Sequence, residues 1–545
     1  MKITRHDMNK LLNEWFRKDS LFKQELNKEY KEYKNRMTLF HLVFFLLAPI
    51  FGNSFVPLHN VVVDPVLKHP VYAPFQSLRT PWNPYSWRQK SNLTNYQIPS
   101  YPDPVELHKI ENELSKKSPL VFGGECSSLQ HKLGLASTGQ TFILMGGDCA
   151  ESFDDFSPPK IRDDLRLLLQ MSLLLMHGSG LPVVQIGRVA GQFAKPRSQE
   201  LETQGNLSLL TYRGDIIHKI GFSEEERRPD PTRMLDAYHQ SVQTLNLIRA
   251  FLQGGFSSVN RIHDWKLDFI STQSEYYKNV VEDVQRSLRF FNSILRIHSE
   301  KNGGSTTNGN GSPLNLNIDQ YYTGHECLLL PYEAPLTRLD SITNKYVACS
   351  AHFLWLGERT RKLDGAHLEY LRGIDNPVGI KVSSGTDVDQ LVEIIKILNP
   401  KNEAGKITLI SRMGVNKIRP ALPFMMNTLR SRGLWVTWVC DPMHGNGRTT
   451  EEGIKTRFYH DIQDEILDFF DICKEEGVYP GGIHLELTSS NATECIGGSI
   501  EEIKTSDLHK RYGSNCDPRL NGIQSLEIAF MVGELLRNSK ITPIR

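Results

Sequence analysis

The sequence has almost no net charge: 63 Lys and Arg against 62 Asp and Glu leave +1 across 545 residues. Binding of nucleic acid through bulk electrostatics is therefore excluded, and any basic site must be a local pocket. The 8 cysteines have neither zinc-finger spacing nor the pattern of a compact disulfide framework. They read as mostly reduced core thiols, with Cys149 and Cys516 as exceptions to consider. There is no internal repeat of fixed period, which argues against a solenoid or propeller. The apolar run that follows Met37 is about 14 residues long, short of the ~20 that span a bilayer.

The first 70 residues differ from the rest. Residues 1–36 are charged and amphipathic, the pattern of an exposed helix. The run after Met37 has the form of a signal-peptide core, with small residues at Gly52 to Ser54 before a cleavage point. The junction Ser54-Phe55-Val56-Pro57 resembles a bipartite plastid-targeting leader. Residues 1–70 are accordingly expected to be a targeting leader or a disordered extension, with Met37 as the biological start and a buried helix or hairpin as the alternative for the apolar run. Plastid localisation follows, with a cytoplasmic location as the alternative. Residues 71–125, with Trp82, Trp87, Tyr101 and several prolines, read as an arm packed on a surface. Residues 126–545 read as one catalytic unit with a helical insertion within about 199–300, followed by a Gly/Ser/Asn-rich loop over 301–313.

Short β-rich runs recur at 141–145, 183–187, 352–356, 378–382, 407–411, 436–440 and 482–487, with an eighth expected near 257–263 or 267–270. Helical patterns at 163–176, 234–253, 388–398, 457–476 and 520–537 separate them. Such alternation predicts an α/β fold, a parallel (β/α)8 TIM barrel. In that architecture the chemistry sits just beyond the carboxyl ends of the strands.

The candidate residues fall there. Gly146-Gly-Asp-Cys149 ends one run, and Cys-Asp-Pro-Met-His444, Gly-Ile-His484-Leu-Glu486 and Asn-Cys-Asp517 supply further donors. Thiolate, imidazole and carboxylates together suit Mn²⁺, Co²⁺, Fe²⁺ or Zn²⁺ better than Ca²⁺ or Mg²⁺. His484 and Glu486 alternate with Ile483, Leu485 and Leu487, so both polar side chains point into the barrel. A second set is cationic: Arg188, Lys195 and Arg197 (before Ser198) on a glycine-containing loop, then Arg359 and Arg361 after Glu358, Lys381, Arg412, and Lys455 with Arg457 opening a helix. A barrel interior does not bury charges without counter-ions, so the substrate, or two substrates, must carry several negative charges. A metal-dependent hydrolase or aldolase on the same barrel is the competing enzyme reading, and a non-catalytic binding protein is a third.

The motifs Gly-Gly-Asp-Cys-Ala-Glu (146–151), Ala-Gly-Gln-Phe-Ala-Lys-Pro-Arg-Ser (190–198), Ser-Ala-His-Phe-Leu-Trp-Leu-Gly-Glu-Arg-Thr-Arg (350–361), Asn-Pro-Val-Gly-Ile-Lys (376–381), Ser-Arg-Met-Gly (411–414), Asp-Pro-Met-His-Gly-Asn (441–446) and Cys-Asp-Pro-Arg-Leu-Asn (516–521) carry a resemblance. From about Trp82 to the C-terminus the chain resembles the type II, plant-type 3-deoxy-D-arabino-heptulosonate 7-phosphate (DAHP) synthases. The resemblance implies condensation of phosphoenolpyruvate with erythrose 4-phosphate in the shikimate pathway, a divalent metal (Mn²⁺ or Co²⁺ first) and a homo-oligomer, dimer or tetramer. It implies Cys149, His444, Glu486 and Asp517 as metal ligands. It implies Arg188, Glu358, Arg359, Lys381 and Arg412 at phosphoenolpyruvate, with Arg188, Glu358 and Lys381 in the catalytic role, and Lys195, Arg197, Ser198 and Lys455 at the sugar phosphate. Cys516 adjoins Asp517, so its thiol is expected to approach Cys149, and oxidation would then remove a metal ligand. The segments after Asn446 and between Glu486 and Asp517 each run about one residue longer than the family pattern.

Overall fold

The computed structural model describes residues 81–89, 97–258, 265, 279–287 and 320–539. The expected leader and the loop over 301–313 lie outside the described residues. Eight parallel strands close into a barrel in chain order: β1 (Phe142–Gly147), β2 (Val183–Arg188), β3 (Tyr322–Glu326), β4 (Phe353–Leu356), β5 (Val378–Val382), β6 (Ile407–Ser411), β7 (Thr437–Cys440) and β8 (Gly482–Glu486). β1 pairs with both β2 and β8, which is the (β/α)8 class that the alternation predicts.

One strand corrects the sequence reading. The strand that completes the barrel is Tyr322–Glu326, while 259–263 and 267–270 lie outside the described residues, and the residues of Tyr322–Glu326 explain why the aliphatic pattern misses it. Tyr322 joins the barrel interior with Ile186 and Phe353. Outward-facing Thr323 and His325 are satisfied by polar partners, His352 Nδ1 accepting from the Thr323 amide at 2.9 Å and His325 Nε2 lying 2.7 Å from Glu333 Oε1. Hydrogen bonding does here what β-branched burial does elsewhere.

The amino end of the barrel is plugged. Helix α1 (Pro104–Lys116) is capped by Asp103, whose carboxylate accepts from the amides of Val105 and Glu106. Helix α2 (Gly123–Ser137) follows and crosses position 125, where composition ends the arm. Its Leu129, Leu133 and Ala136 pack with Ile143, Met145 and Val184 inside the barrel. The hydroxyls of Thr141 and Thr437, at strand starts, donate to the carbonyls of Lys132 and Leu133. That leaves the carboxyl mouth open. The arm lies flat: the Trp82 indole and Ser86 hydroxyl both bond to Glu369.

Helix α3 (Pro158–Ser179) follows β1, and α4 (Arg233–Gln253) lies in the region read as an insertion. Further helices are α5 (Ala366–Leu371), α6 (Val388–Leu398), α7 (Ile418–Ser431), α8 (Tyr459–Glu475) and α9 (Gly522–Asn538), besides three short ones at Ser86–Gln89, Glu224–Arg227 and Leu330–Glu333. α7 escapes the periodicity reading because Pro423 sits inside it. α3 packs on α9, where a Cβ on Gly178 would meet the Gly533 Cα at 2.6 Å. This close approach pins the outer wall behind β1 and β8. Among the described residues no helix is long and apolar enough to cross a membrane.

Candidate active site

The register brings the site together. Gly147 of β1 is level with Arg188 of β2 and Glu486 of β8. Gly147 has φ +144°, and a Cβ there would lie 2.9 Å from the Arg188 carbonyl oxygen. With no side chain between them, Arg188 reaches across β1, and its Nη2 lies 3.1 Å from Glu486 Oε1. Arg188 also donates to the carbonyls of Asp148 and Cys149. Its Nη1 meets His484 Nε2 at 2.5 Å. Burial, then Lys381 and Arg188, hold the His484 imidazolium pKa well below its ordinary value, so the ring is neutral and accepts that bond. The Trp355 ring forms a wall shared by these groups, with Arg188 and Lys381 5.5 and 5.8 Å from its centroid.

Every residue that the resemblance implies as a ligand or substrate contact lines one cleft of about 540 Å³ at this mouth, whereas Arg361 and His484 do not line it. Its donor cluster holds Cys149, Glu486 and Asp517, whose ligand atoms all lie within 4.8 Å of one another. His444 Nε2 stands 3.0 Å from Glu486 Oε1. The other ring nitrogen, Nδ1, is 2.7 Å from Asp441 Oδ2, the carboxylate–histidine pairing that leaves Nε2 available as a ligand. The Lys195 ammonium bonds to both the Cys149 sulfur and Asp517, so the cluster already attracts a cation. Burial alone would raise the Glu486 carboxyl, but His444, Arg457 and Arg188 hold it well below the usual range. Asp517 is likewise held low against burial by Lys195 and Arg457. Burial and the Cys516 contact push the Cys149 thiol up. One sulfur, one imidazole nitrogen and two ionised carboxylates fit a borderline divalent ion.

The cleft is strongly cationic: nine basic side chains (Arg188, Lys195, Arg197, Arg359, Lys381, Arg412, Arg448, Lys455 and Arg457) face four acids (Glu326, Glu358, Glu486 and Asp517). Among the described residues no carboxylate pairs with Arg197, Arg359 or Arg412. Their guanidinium hydrogen bonds run to neutral acceptors, the Tyr212 carbonyl, the Ser198 hydroxyl and the His444 carbonyl. Glu358 is turned to Arg361 at 2.7 Å and to the Ser383 hydroxyl. Lys381 ends inside the barrel against Asp441. Burial, followed by Arg188, draws its pKa down despite that carboxylate.

Lys455 needs a correction. It does not open a helix but sits in a β-hairpin, Arg448–Thr449 with Lys455–Thr456, whose turn is closed by Gly453 at φ +83°. Its Nζ lies 3.7 Å from Asp517 Oδ1. Helix α8 starts only at Tyr459.

The loops are held from behind. The Glu151 carboxylate accepts from the amides of Ala190, Gly191 and Gln192 at 2.8–2.9 Å, which shapes the turn leading to Lys195. Glu465 on α8 accepts from the amides of Met413 and Gly414 and from the Asn446 side chain, joining the loops that carry Arg412 and His444. Burial lifts the Glu465 carboxyl to about 7. A raised carboxyl binds its proton more tightly in the folded chain than in the unfolded one. Stability therefore falls as pH rises from the ordinary value of 4.5 through about 7, by ~3 kcal/mol in total. Glu465→Gln is expected to remove that slope, which appears as a flatter dependence of Tm on pH across this window.

Sequence reasoning missed two acids. Asp441, which engages both Lys381 and His444, stands in the quoted Asp-Pro-Met-His motif, so that motif was its signal. Glu326 ends the overlooked β3. It is pushed up by burial, against Lys381, His444 and Arg359, and its Oε1 has no hydrogen-bond partner among the described residues.

Comparison with known proteins gives a consistent result. The class-II DAHP synthetase family matches residues 82–533. A phospho-2-dehydro-3-deoxyheptonate aldolase of Streptomyces coelicolor is 41% identical over 455 residues, 83% of this chain and 97% of that protein. One of Neurospora crassa is 42% identical over 477 residues, 84% of this chain and 95% of that protein.

Proposed function

Because the chain belongs to the class-II DAHP synthetase family, we propose that it condenses phosphoenolpyruvate, D-erythrose 4-phosphate and water to DAHP and phosphate, the first step of the shikimate pathway. The observation that carries this reading is the pairing, in one cleft, of a Cys/Glu/Asp donor cluster flanked by His444 with guanidinium groups that no carboxylate among the described residues neutralises.

Cys149, His444, Glu486 and Asp517 would hold the divalent ion, Mn²⁺ or Co²⁺ ahead of Zn²⁺ or Fe²⁺. When bound, it supplies Lewis acidity to the sugar aldehyde. Arg188, Arg359, Lys381 and Arg412 hold the carboxylate and phosphate of phosphoenolpyruvate, with Glu358 aligning Arg361 and Ser383 at the rim. Lys195, Arg197, Ser198 and Lys455 receive the sugar phosphate. C3 of phosphoenolpyruvate attacks the aldehyde carbon, and water captures C2. The resulting hemiketal phosphate then expels phosphate. Lys381 is buried, has a depressed pKa and is hydrogen-bonded to Asp441, so it is suited to pass a proton to the departing phosphate. Most of the acceleration comes from positioning and fixed charge.

The test is phosphate release from phosphoenolpyruvate with and without erythrose 4-phosphate, before and after chelation. Release should require both substrates, vanish with chelator and return with Mn²⁺. Release that needs no aldose, or that survives chelation, would overturn the reading. Arg412→Ala is expected to raise the phosphoenolpyruvate KM about tenfold to a hundredfold, the size of one lost charged contact, with little change in the KM for the aldose. A normal phosphoenolpyruvate KM would count against the assignment. We propose in addition that the protein is a homo-oligomer, tested by light scattering of the purified chain, and that residues 1–70 direct it to a plastid, tested by fusing them to a fluorescent reporter.

A further inference from the structure

Two of the proposed ion ligands sit beside charged residues that do not line the cleft. Asp148 immediately precedes Cys149, and Arg519 follows Asp517 by two positions. Arg519 Nη1 lies 2.6 Å from Asp148 Oδ1. The guanidinium is fixed from its other side by buried Glu494, which also accepts from the Arg519 backbone amide at 2.7 Å. The second Asp148 oxygen takes Lys160 Nζ at 2.7 Å, and Lys160 reaches Asp164 at the same distance. The segment around Arg519 is zipped to the end of β8, the Leu520 amide donating to the Glu486 carbonyl at 3.0 Å and the Thr488 amide to the Leu520 carbonyl at 2.9 Å. A single line of charge, Lys160–Asp148–Arg519–Glu494, thus runs from α3 to the loop before α9. It crosses the gap between the β1 and β8 loops directly behind the donor cluster. Across the same gap, on the cleft side, the Asp517 amide donates to the Cys149 sulfur at 3.3 Å.

We propose that Asp148 and Arg519 are positioning residues that latch the two ligand-bearing loops together and set the spacing between the Cys149 sulfur and the Asp517 carboxylate. The inference rests on the metal reading above. Cys149 and Asp517 lie far apart in sequence on two separate loops; Lys195 bridges their side chains on the cleft side, and Asp148–Arg519 joins the same two loops from behind. A guanidinium held on two sides by carboxylates has one orientation, whereas an ammonium in its place has several. Groups behind a ligand shell tune ion affinity without touching the ion.

The experiment is titration of the metal-free full-length protein with Mn²⁺, following free ion by electron paramagnetic resonance, with Tm recorded alongside. Asp148→Asn keeps the shape and removes the charge. It should weaken Mn²⁺ binding about tenfold to a hundredfold, while the phosphoenolpyruvate KM at saturating Mn²⁺ stays near wild type. Arg519→Lys should weaken Mn²⁺ binding in the same direction, and it carries the test alone if Asp148→Asn does not fold. Glu369→Gln, in a remote buried ion pair with Arg372, is the stability control: it should lower Tm and leave Mn²⁺ affinity unchanged. Wild-type affinity in a folded latch variant, or an equal loss in the control, overturns the latch. Failure of the wild type itself to bind Mn²⁺ overturns the metal reading instead.

Discussion

Glu486→Gln is expected to cut phosphate release about a thousandfold while the barrel still folds. Glu486 is completely buried, and three partners converge on it: Arg188 at 3.1 Å, His444 at 3.0 Å and Arg457 at 2.8 Å. Glutamine keeps the volume and one acceptor but removes the charge. Among the described residues neither guanidinium has a second carboxylate. Removing one member of a buried ion pair costs ~3–5 kcal/mol, mostly because the survivors stay buried and unpaired. At ~1.4 kcal/mol per factor of ten, about 4 kcal/mol lost at the reacting centre corresponds to the expected drop. The same substitution removes a hard ligand, so Mn²⁺ affinity should fall with kcat. Circular dichroism separates this from unfolding. A folded variant within tenfold of wild-type kcat would mean that this carboxylate does not belong to the chemistry.

The extent of the expected loss follows from the architecture. The barrel mouth concentrates like charge: Arg188 and Lys381 share the Trp355 ring, and each lowers the pKa of His484. Glu486 and Asp441 thread through this cluster and offset its charge. Glu486 serves Arg188, Arg457 and His444, and Asp441 serves Lys381 and His444. Among the described residues His444 is the only side chain bonded to both acids, which ties the proposed ion ligand to the proposed proton donor.

The sequence announces some of this and hides the rest for physical reasons. β5 and β6 can be read to the residue because Val-Gly-Ile-Lys-Val and Ile-Thr-Leu-Ile-Ser are buried on both faces and bounded by turn residues. β3 cannot, because its outward face is paid for by hydrogen bonds to Glu333 and His352 rather than by aliphatic contact. Glu326 was lost with it. Cys149, His444 and Glu486 stand at or just beyond strand ends, a placement the barrel turns into convergence, whereas Asp517 lies in the loop before α9, where no strand marks it. The latch is not legible, since Asp148 and Arg519 lie far apart in sequence and only folding brings their side chains into contact. Lys455 was misplaced because Gly-Ile-Lys-Thr-Arg reads as a helix start when the hairpin partner at Arg448 is not in view.

Peroxide without reductant is expected to silence the enzyme almost completely, and dithiothreitol to restore it. All eight cysteines are free thiols in the structure, yet Cys149 and Cys516 share one small buried cluster with Tyr212. Their environments diverge. The Cys149 contact, Lys195 and Arg197 bring the Cys516 thiol below its ordinary pKa, whereas burial holds Cys149 above it. Cys516 is thus the thiolate that peroxide attacks, giving a sulfenic acid and one water. Attack by the Cys149 sulfur then forms the disulfide and releases a second water, so two thiols and one peroxide yield one disulfide and two waters. The bond converts a proposed ligand into a sulfur with no thiolate character and ties it to the residue before Asp517. Mn²⁺ affinity should therefore fall together with activity. Cys516→Ser should keep most activity and lose the dithiothreitol-reversible inactivation, because no resolving partner remains. Wild-type protein that stays fully active after thiol titration shows the pair oxidised would remove Cys149 from the ligand set.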